Sequence, residues 1–482
     1  MFEILIKDEQ NTPIYLTLYR HIRDAIRNGD ITNGMRLPSI RSLQMQLNIS
    51  KTPIETAFQM LIAEGYVISK PRSGFYAINP RAVLPTKQYE LYADQEIKGI
   101  NCPPFESKST IDFDPSAVDP HCFPFRTWNK MLKEALENFS MDIGKYGDLQ
   151  GESKLRAALA DYIFKARGVH CTPEQIIIGS GIADSIRILC HLFNDNSRIA
   201  FEEPGYNLVR QQFILNGFEV LPIQVGEKGI SVNDIEGRSA KLAYITPSHQ
   251  FPTGSIMPFS EREQLLKWAI NKDAFIIEDD YDGEFRYIGK PIPSLQSIDQ
   301  YDRVIYIGTF SKVFTPALRM NYMVLPQKLL NKLKESSYQF TSAPSRITQW
   351  AMISFIEQGH WYRHIRRVRK LYRKKHQKLI ELIHENFQNH VKITGQNAGL
   401  HIQITVNANQ STETLIKSAA EEGIMVYDFK NMWMTTRTDP FPRLYLGFAG
   451  VSEKDMEKGI ELLKKAWLPF LLNSNPHANL TF

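Results

Sequence analysis

"IYIGTFSKVFTPALRM", residues 305–320, decides the fold of the larger part of this 482-residue chain. Its apolar run has the make-up of a buried strand. It stops at Thr-Phe-Ser-Lys, and Arg319 follows seven residues after Lys312. Four more runs of this kind, "QIIIGSG", "RIAFEEPG", "KLAYITPS" and "AFIIEDDY", lie upstream, separated by amphipathic stretches. Short apolar strands alternating with helices imply an α/β domain with a largely parallel sheet. Functional groups are then expected where the strands end.

Those ends carry distinctive chemistry. "IIIGSGIADSIRIL" reads as strand, turn and helix, placing Ser180 and Gly181 at a helix N-terminus whose N–H groups form a nest for phosphate. "FIIEDDYDGEF" gathers Glu278, Asp279, Asp280 and Tyr281. Acids so placed bind a metal, act as acid and base, or are simply solvated. Thr309 and Ser311 flank Lys312, and Arg319 adds a fork-shaped cation suited to phosphate. A phosphate nest, a carboxylate, a phenol and a lysine are together the parts of a pyridoxal phosphate site. On that reading Lys312 holds the aldehyde carbon, while Arg319, Ser180 and Ser311 hold the phosphate at the other end of the same ring.

The first eighty residues follow another pattern. Ile14, Leu18, Ile22, Ala25 and Ile26 recur at helical spacing and end at Gly29. Ser39 is placed to cap a second helix with Ile40, Leu43 and Leu47 on its buried face. Ser50 is placed to cap a third, with Ile54, Ala57, Phe58, Leu61 and Ile62 on one face and Pro53 in its first turn. "YVIS", a turn "KPRSG" and "FYAI" then read as a hairpin. Three helices and a hairpin make a winged helix-turn-helix. Residues 12–78 hold eight Lys/Arg against four Asp/Glu. Arg41 opens the second helix, Lys51 and Thr52 open the third, and Lys70 and Arg72 lie in the wing, where such a module meets phosphates and base edges. DNA binding is expected.

Residues 79–111 show no sustained period and contain four prolines, which reads as a linker. The expected organisation is a DNA-binding head over 1–78, that linker, and an α/β domain over 112–482. A net charge of +5 identifies no partner. Cys102, Cys122, Cys171 and Cys190 form no C-x-x-C pair, so neither a metal site nor a disulfide framework is expected. With an acidic start and no apolar stretch of membrane-spanning length, a cytoplasmic protein is expected.

The stretch "NGMRLPSIRSLQMQLNISKTPIETAFQMLIAEGYVISKPRSGFY" resembles the GntR family of bacterial regulators. The resemblance implies DNA-facing positions at Ser39, Arg41, Ser50, Lys51, Thr52 and Gly74. Glu55 departs from the arginine often found early in the third helix, so base preference does not carry over. From "YGDLQGESKLRAALADYI" through "EEPGY", "TPSHQFPTGSIMP", "EDDYDGEF" and "GTFSKVFTPALRM", the rest is similar to the fold-type I, class I aminotransferases. That implies a large mostly parallel sheet plus a smaller C-terminal α+β part. It also implies Lys312 as Schiff-base lysine, Asp279 on the pyridinium nitrogen, Tyr281 on the ring hydroxyl and Tyr206 lining the ring. Ser180, Gly181, Ser311 and Arg319 would hold the phosphate.

The combination resembles the MocR-type regulators, among which are sensors of γ-aminobutyrate and of pyridoxal phosphate itself. It implies a regulator that binds operator DNA and an amino-bearing effector, as a head-to-tail, domain-swapped homodimer. Two departures from the enzymes matter. Phe251 stands where they have an asparagine on the ring oxygen, and Tyr445 where they have an arginine for the substrate carboxylate. Arg437 and Arg443 are the nearby cations able to take an effector carboxylate. The alternative is a working aminotransferase with a DNA-binding head. One segment stays open: "WYRHIRRVRKLYRKKHQK", 361–378, holds nine Lys/Arg and no acid, and reads either as a solvated helix of the fold or as a second contact with the DNA backbone.

Overall fold

The computed structural model describes residues 13–79, 110–193, 197–287, 293–336, 344–428, 430–435 and 440–472. The chain divides into two compact units, Met1–Glu106 and Ser107–Phe482.

In the first unit α1 (Ile14–Asn28), α2 (Ile40–Leu47) and α3 (Lys51–Ala63) precede β1 (Val67–Lys70) and β2 (Gly74–Ala77). Gly29 ends α1 in the left-handed region at φ 89°, where a Cβ would be strained. The Ser39 hydroxyl accepts from the Ser42 N–H at 3.1 Å and starts α2. Ser50 occupies the corresponding position of α3 but makes no side-chain cap bond. Its natural donor would be the N–H of the third helical residue, and that residue is Pro53, which has none. Ile54, Ala57, Phe58 and Leu61 are buried, each large side chain contributing about 1.5–3 kcal/mol. Ile62 stays 39% exposed, so the buried stripe is narrower than its spacing suggests. Phe58 meets Phe75 at 4.6 Å and fixes α3 against the antiparallel β1–β2 hairpin. Arg72 and Gly74 turn that hairpin with φ 62° and 106°.

The large unit begins within the last residues of the expected linker. β3 (Ile111–Asp112) pairs parallel with β14 (Ile424–Met425). Residues 80–109, most of that linker, lie outside the described residues. The main sheet contains β4 (Ile176–Gly179), β5 (Arg198–Glu203), β6 (Glu219–Gly226), β7 (Gly229–Ile230), β8 (Leu242–Ile245), β9 (Phe275–Asp280), β10 (Val304–Thr309) and β11 (Asn321–Val324). Their spatial order is β4-β11-β10-β9-β8-β5-β6-β7. The five strands from β10 to β6 run parallel, and β11 and β7 are antiparallel to their neighbours. β4, β8, β9 and β11 are buried along their whole length, as strands covered on both faces must be.

Helices α4 (Phe125–Asn138) and α5 (Ser153–Arg167) precede β4. Alternation sorts the two faces. Ile277, Ile305 and Ile307 pack on one side, against α6 (Ile182–Leu192) and α7 (Asn207–Leu215) among others. Ile276 and Val304 face the other way, toward the helix Phe259–Asn271. A smaller antiparallel sheet of β12 (Val391–Thr394), β13 (His401–Val406) and β15 (Arg443–Gly447) forms the C-terminal part with helices Thr412–Glu421 and Glu453–Trp467. Among the described residues no helix is long and apolar enough to cross a membrane.

Candidate functional site

β9 and β10 are parallel neighbours with Ile307 opposite Asp279, so the acidic run and the Thr-Phe-Ser-Lys turn leave the sheet at the same edge. The acids then separate. Glu278 accepts from the Leu295 and Gln296 N–H groups at 2.7 and 2.9 Å. Asp280 receives Arg167 at 2.5 Å and the Tyr306 hydroxyl at 2.7 Å, in a pair whose side chains are 6% and 2% exposed. Both are structural. Asp279 alternates to the opposite face, where the Tyr244 hydroxyl donates to it at 2.5 Å. Burial and the neighbouring carboxylates outweigh that bond and push the Asp279 carboxyl up to about 7. A protonated ring nitrogen is the partner that would bring it down again.

Lys312 donates to the carbonyls of Ser116 and Pro115 at 3.0 and 3.3 Å. Burial lowers its ammonium pKa, with Asp282 and Asp114 opposing the shift. A lysine so desolvated is closer to being a nucleophilic amine than one in water. The Tyr281 hydroxyl lies 3.0 Å from His249 Nδ1, and Phe251 meets the Tyr281 ring edge-on at 5.8 Å. Tyr206 meets Phe251 edge-on at 5.6 Å. Phe251 is also parallel to Tyr445, with centroids 6.3 Å apart. An aromatic wall therefore stands at the two positions where the resemblance implies an asparagine and an arginine in the enzymes.

At the other end Gly181, φ 108°, starts α6. A Cβ there would lie 2.7 Å from Arg319 Nη2, so Gly181 and Arg319 sit against each other. The backbone nest is less open than the turn suggests. The Ser180 N–H donates to Asp184 Oδ2 at 3.2 Å and the Gly181 N–H to Asn321 Oδ1 at 3.0 Å. An acid in the first turn of α6 and an amide from β11 already engage these donors. Ser311 donates its N–H to Thr309 Oγ1 at 3.1 Å and closes the turn before Lys312.

Arg443 begins β15 and shares a face with Tyr445 two residues on. Arg437 lies outside the described residues. Sequence reasoning missed His249, Asp282 and His401. His249 Nδ1 is 2.8 Å from Asp282 Oδ2, and His401 on β13 lies 5.5 Å from Phe251 and 5.7 Å from His249. Burial, with His249 and Lys312 nearby, pushes the His401 pKa down to about 3, so its imidazole is neutral.

In the first unit Ser39, Arg41, Ser50, Lys51, Thr52 and Arg72 are all exposed, with Gly74 half-buried in the wing turn. Lys51 is paired with Glu55 at 2.7 Å. In the basic helix His360–Phe387, Lys375 forms a buried pair with Asp119 at 2.7 Å, and Lys374 and Lys378 pair with Glu453 and Glu457. Arg369 donates to the Glu284 carbonyl at 2.8 Å and Arg367 to that of Cys122. Arg363 donates to the Gln358 carbonyl at 3.0 Å, so six of the nine cations bond within the large unit.

Residues 14–77 match the family described as bacterial regulatory proteins, gntR family, and residues 120–463 match aminotransferase class I and II. The chain is 42% identical to the uncharacterized HTH-type transcriptional regulator YdeL of Bacillus subtilis, covering 94% of this chain and 97% of that protein. It is 30% identical to the probable rhizopine catabolism regulatory protein MocR of Rhizobium meliloti, covering 96% of each. Among solved structures it is similar to a multiple substrate aminotransferase from Thermococcus profundus, with 25% identity and a TM-score of 0.68 over 75% of this chain and 92% of the other.

Proposed function

The chain belongs to the MocR-type members of the GntR family, HTH-type transcriptional regulators with an aminotransferase-like domain, and from that premise we propose that its large unit binds pyridoxal phosphate and senses an amino-bearing metabolite. DNA binding is the work of the winged helix, through Arg41, Lys51, Thr52 and Arg72. The cofactor supplies an aldehyde with which a primary amine condenses.

The chain's own residues do the rest. Asp279 holds the ring-nitrogen proton, Tyr281 donates to the ring oxygen, and Tyr206 lines the ring. Arg319, with Gly181, Ser180, Thr309 and Ser311, binds the phosphate. Lys312 would hold the aldehyde carbon in the absence of an effector, and Arg443 would take the carboxylate of an effector amine that has one. The observation that carries this reading is the desolvated Lys312 amine, which follows β10 at the sheet edge where the neighbouring β9 presents the buried Asp279 carboxyl, paired among the described residues with a phenol; Arg319, seven residues on, is seated on a positive-φ glycine.

Phe251 stacked on Tyr445 favours sensing over turnover. Neither ring supplies the donor or the cation that the enzymes use there to steer a reacting substrate. Coupling to DNA is a free energy between two sites and requires that the effector distinguish two states of the large unit. The resemblance implies a head-to-tail dimer with each winged helix on the partner's large unit. Exposed Met141, Ile143, Tyr146 and Leu149 support self-association, since an apolar loop of that size calls for a covering surface.

The test is the visible absorbance of the purified protein with pyridoxal phosphate, then with a panel of amines and amino acids. A band that disappears in Lys312→Ala supports the cofactor reading. A spectral shift with one amine and no keto acid identifies a sensor, whereas steady keto-acid production makes the protein an aminotransferase. No band refutes the cofactor reading.

A further inference from the structure

His249 lies between the phenol of Tyr281 and the C-terminal part of the large unit. Its Nδ1 is 2.8 Å from Asp282 Oδ2 and 3.0 Å from Tyr281 Oη. Imidazole and carboxylate side chains are only 1% and 3% exposed. Glycines from two distant segments make room for the ring: a Cβ on Gly399 would fall 2.3 Å from His249 Cε1, and one on Gly254 3.2 Å from Nε2. On another side a cavity of about 10 Å3, the size of one water, is lined by Arg167, Ser248, Asp282 and Arg286. A histidine that merely filled space would be a costly choice here, because burying an imidazole beside a carboxylate demands matched partners. Two residues further along the same loop stands Phe251, which cannot contact a ring oxygen through a hydrogen bond.

We propose that His249, held by Asp282, is a positioning residue that acts through Tyr281. The N–H at Nδ1 is shared between Asp282 Oδ2 and Tyr281 Oη. With its oxygen accepting from His249, Tyr281 turns its own proton toward the cofactor's ring oxygen and donates it more strongly. One reinforced donor thereby replaces the two that an asparagine and a tyrosine supply in the enzymes. The charges around the imidazole agree. Burial pulls its pKa down, Asp282 through charge and hydrogen bond, together with the Gly395 backbone, more than offsets this, and Arg286 opposes weakly, for a net rise. Arg167 is neutralised by Asp280, and His401 stays uncharged beside it.

This inference rests on the cofactor reading, and the experiment separates the two. The parent protein, His249→Gln, His249→Asn, Tyr281→Phe and the His249→Gln/Tyr281→Phe double variant are loaded with pyridoxal phosphate, and the pH midpoint of the visible band is measured. A ring oxygen with weaker outside donors holds its negative charge less well. The midpoint therefore rises by up to about one unit in either His249 variant, because the Tyr281 bond to the ring oxygen is weakened rather than lost. In the Tyr281→Phe background the His249 substitution adds nothing, because its route to the ring is gone. A midpoint unmoved in both His249 variants, with melting temperatures showing intact folds, overturns the proposal. So does a shift that persists without the Tyr281 hydroxyl. Failure of the parent protein to develop any band overturns the cofactor reading and this inference with it.

Discussion

Asp279 and Asp280 are adjacent, chemically identical and both buried, yet their replacement by asparagine should fail in opposite ways. Asp280 holds the guanidinium of Arg167 through both oxygens, at 2.5 and 3.2 Å, and accepts from Tyr306. Asp280→Asn leaves a cation buried without its counter-charge, which costs about 3–5 kcal/mol. For a unit spanning Ser107–Phe482, the usual unfolding entropy per residue converts this into about 4–6 °C of melting temperature. Asp279 has a phenol and no cation, and its carboxyl is pushed up to about 7 by burial. Asp279→Asn therefore removes a liability from the cofactor-free protein and leaves its melting temperature unchanged or higher. What it removes is the charge-assisted bond to the ring nitrogen, about 1.5–3 kcal/mol, or roughly 10- to 150-fold in cofactor affinity.

The pH dependence follows from the same shift. The folded-state pKa lies above the ordinary value of 3.8, so between pH 4 and about 7 the folded protein keeps a proton that the unfolded chain has lost. Stability of the cofactor-free protein should fall across that window and then level off, and Asp279→Asn should make the fall shallower. Thermal melts between pH 4 and 8 without cofactor, and absorbance titrations with pyridoxal phosphate, measure both effects. If Asp279→Asn melts below Asp280→Asn, or binds cofactor as well as the parent, the allotment of roles to the two acids is wrong.

Gly181→Ala should weaken cofactor binding at least tenfold, because φ 108° strains any Cβ and that Cβ would displace Arg319; equal affinity in an absorbance titration would show that Arg319 does not act at this end. Lys51→Ala should lower operator affinity and reduce the slope of log K against log salt by about one, whereas Glu55→Gln, by releasing Lys51 from its 2.7 Å pair, should tighten binding; gel-shift titrations at several salt concentrations distinguish these. Arg366, Lys370 and Arg373 are exposed on the basic helix, yet reversing all three to glutamate should leave operator affinity within about twofold and the salt slope unaltered; a slope reduced by two or more would make that helix a DNA contact.

Strand and helix placement was largely legible because each of the five quoted runs is a continuous apolar segment ended by a turn, and each became a strand. β11 was not singled out: four residues returning antiparallel after the Arg319 turn leave no period to count. The acidic run shows where legibility ended within the site. Alternation along β9 does separate Asp279 and Tyr281 from Glu278 and Asp280, since successive side chains face opposite ways. Nothing in "EDDYD" says which face holds the ligand, because that depends on Arg167, Leu295 and Tyr306 being supplied to one side and Tyr244 to the other. At Ser50 and the Gly-Ser-Gly turn the local partners were not legible: Pro53 offers no N–H for Ser50 to cap, and Asp184 and Asn321 accept from the Ser180 and Gly181 N–H groups. His249 and His401 could not be recognised at all. Their environment is assembled from residues near 250, 282, 400 and 445, which meet only after the parallel sheet has placed its strand ends beside β13 and β15. The wall they form with Phe251 and Tyr445 is where the loops after β8 and β9 meet β13 and β15. On the function proposed above, a ligand that moved Tyr281 would disturb His249, 3.0 Å away, and through it the packing against His401 on β13, which would let an effector distinguish two states.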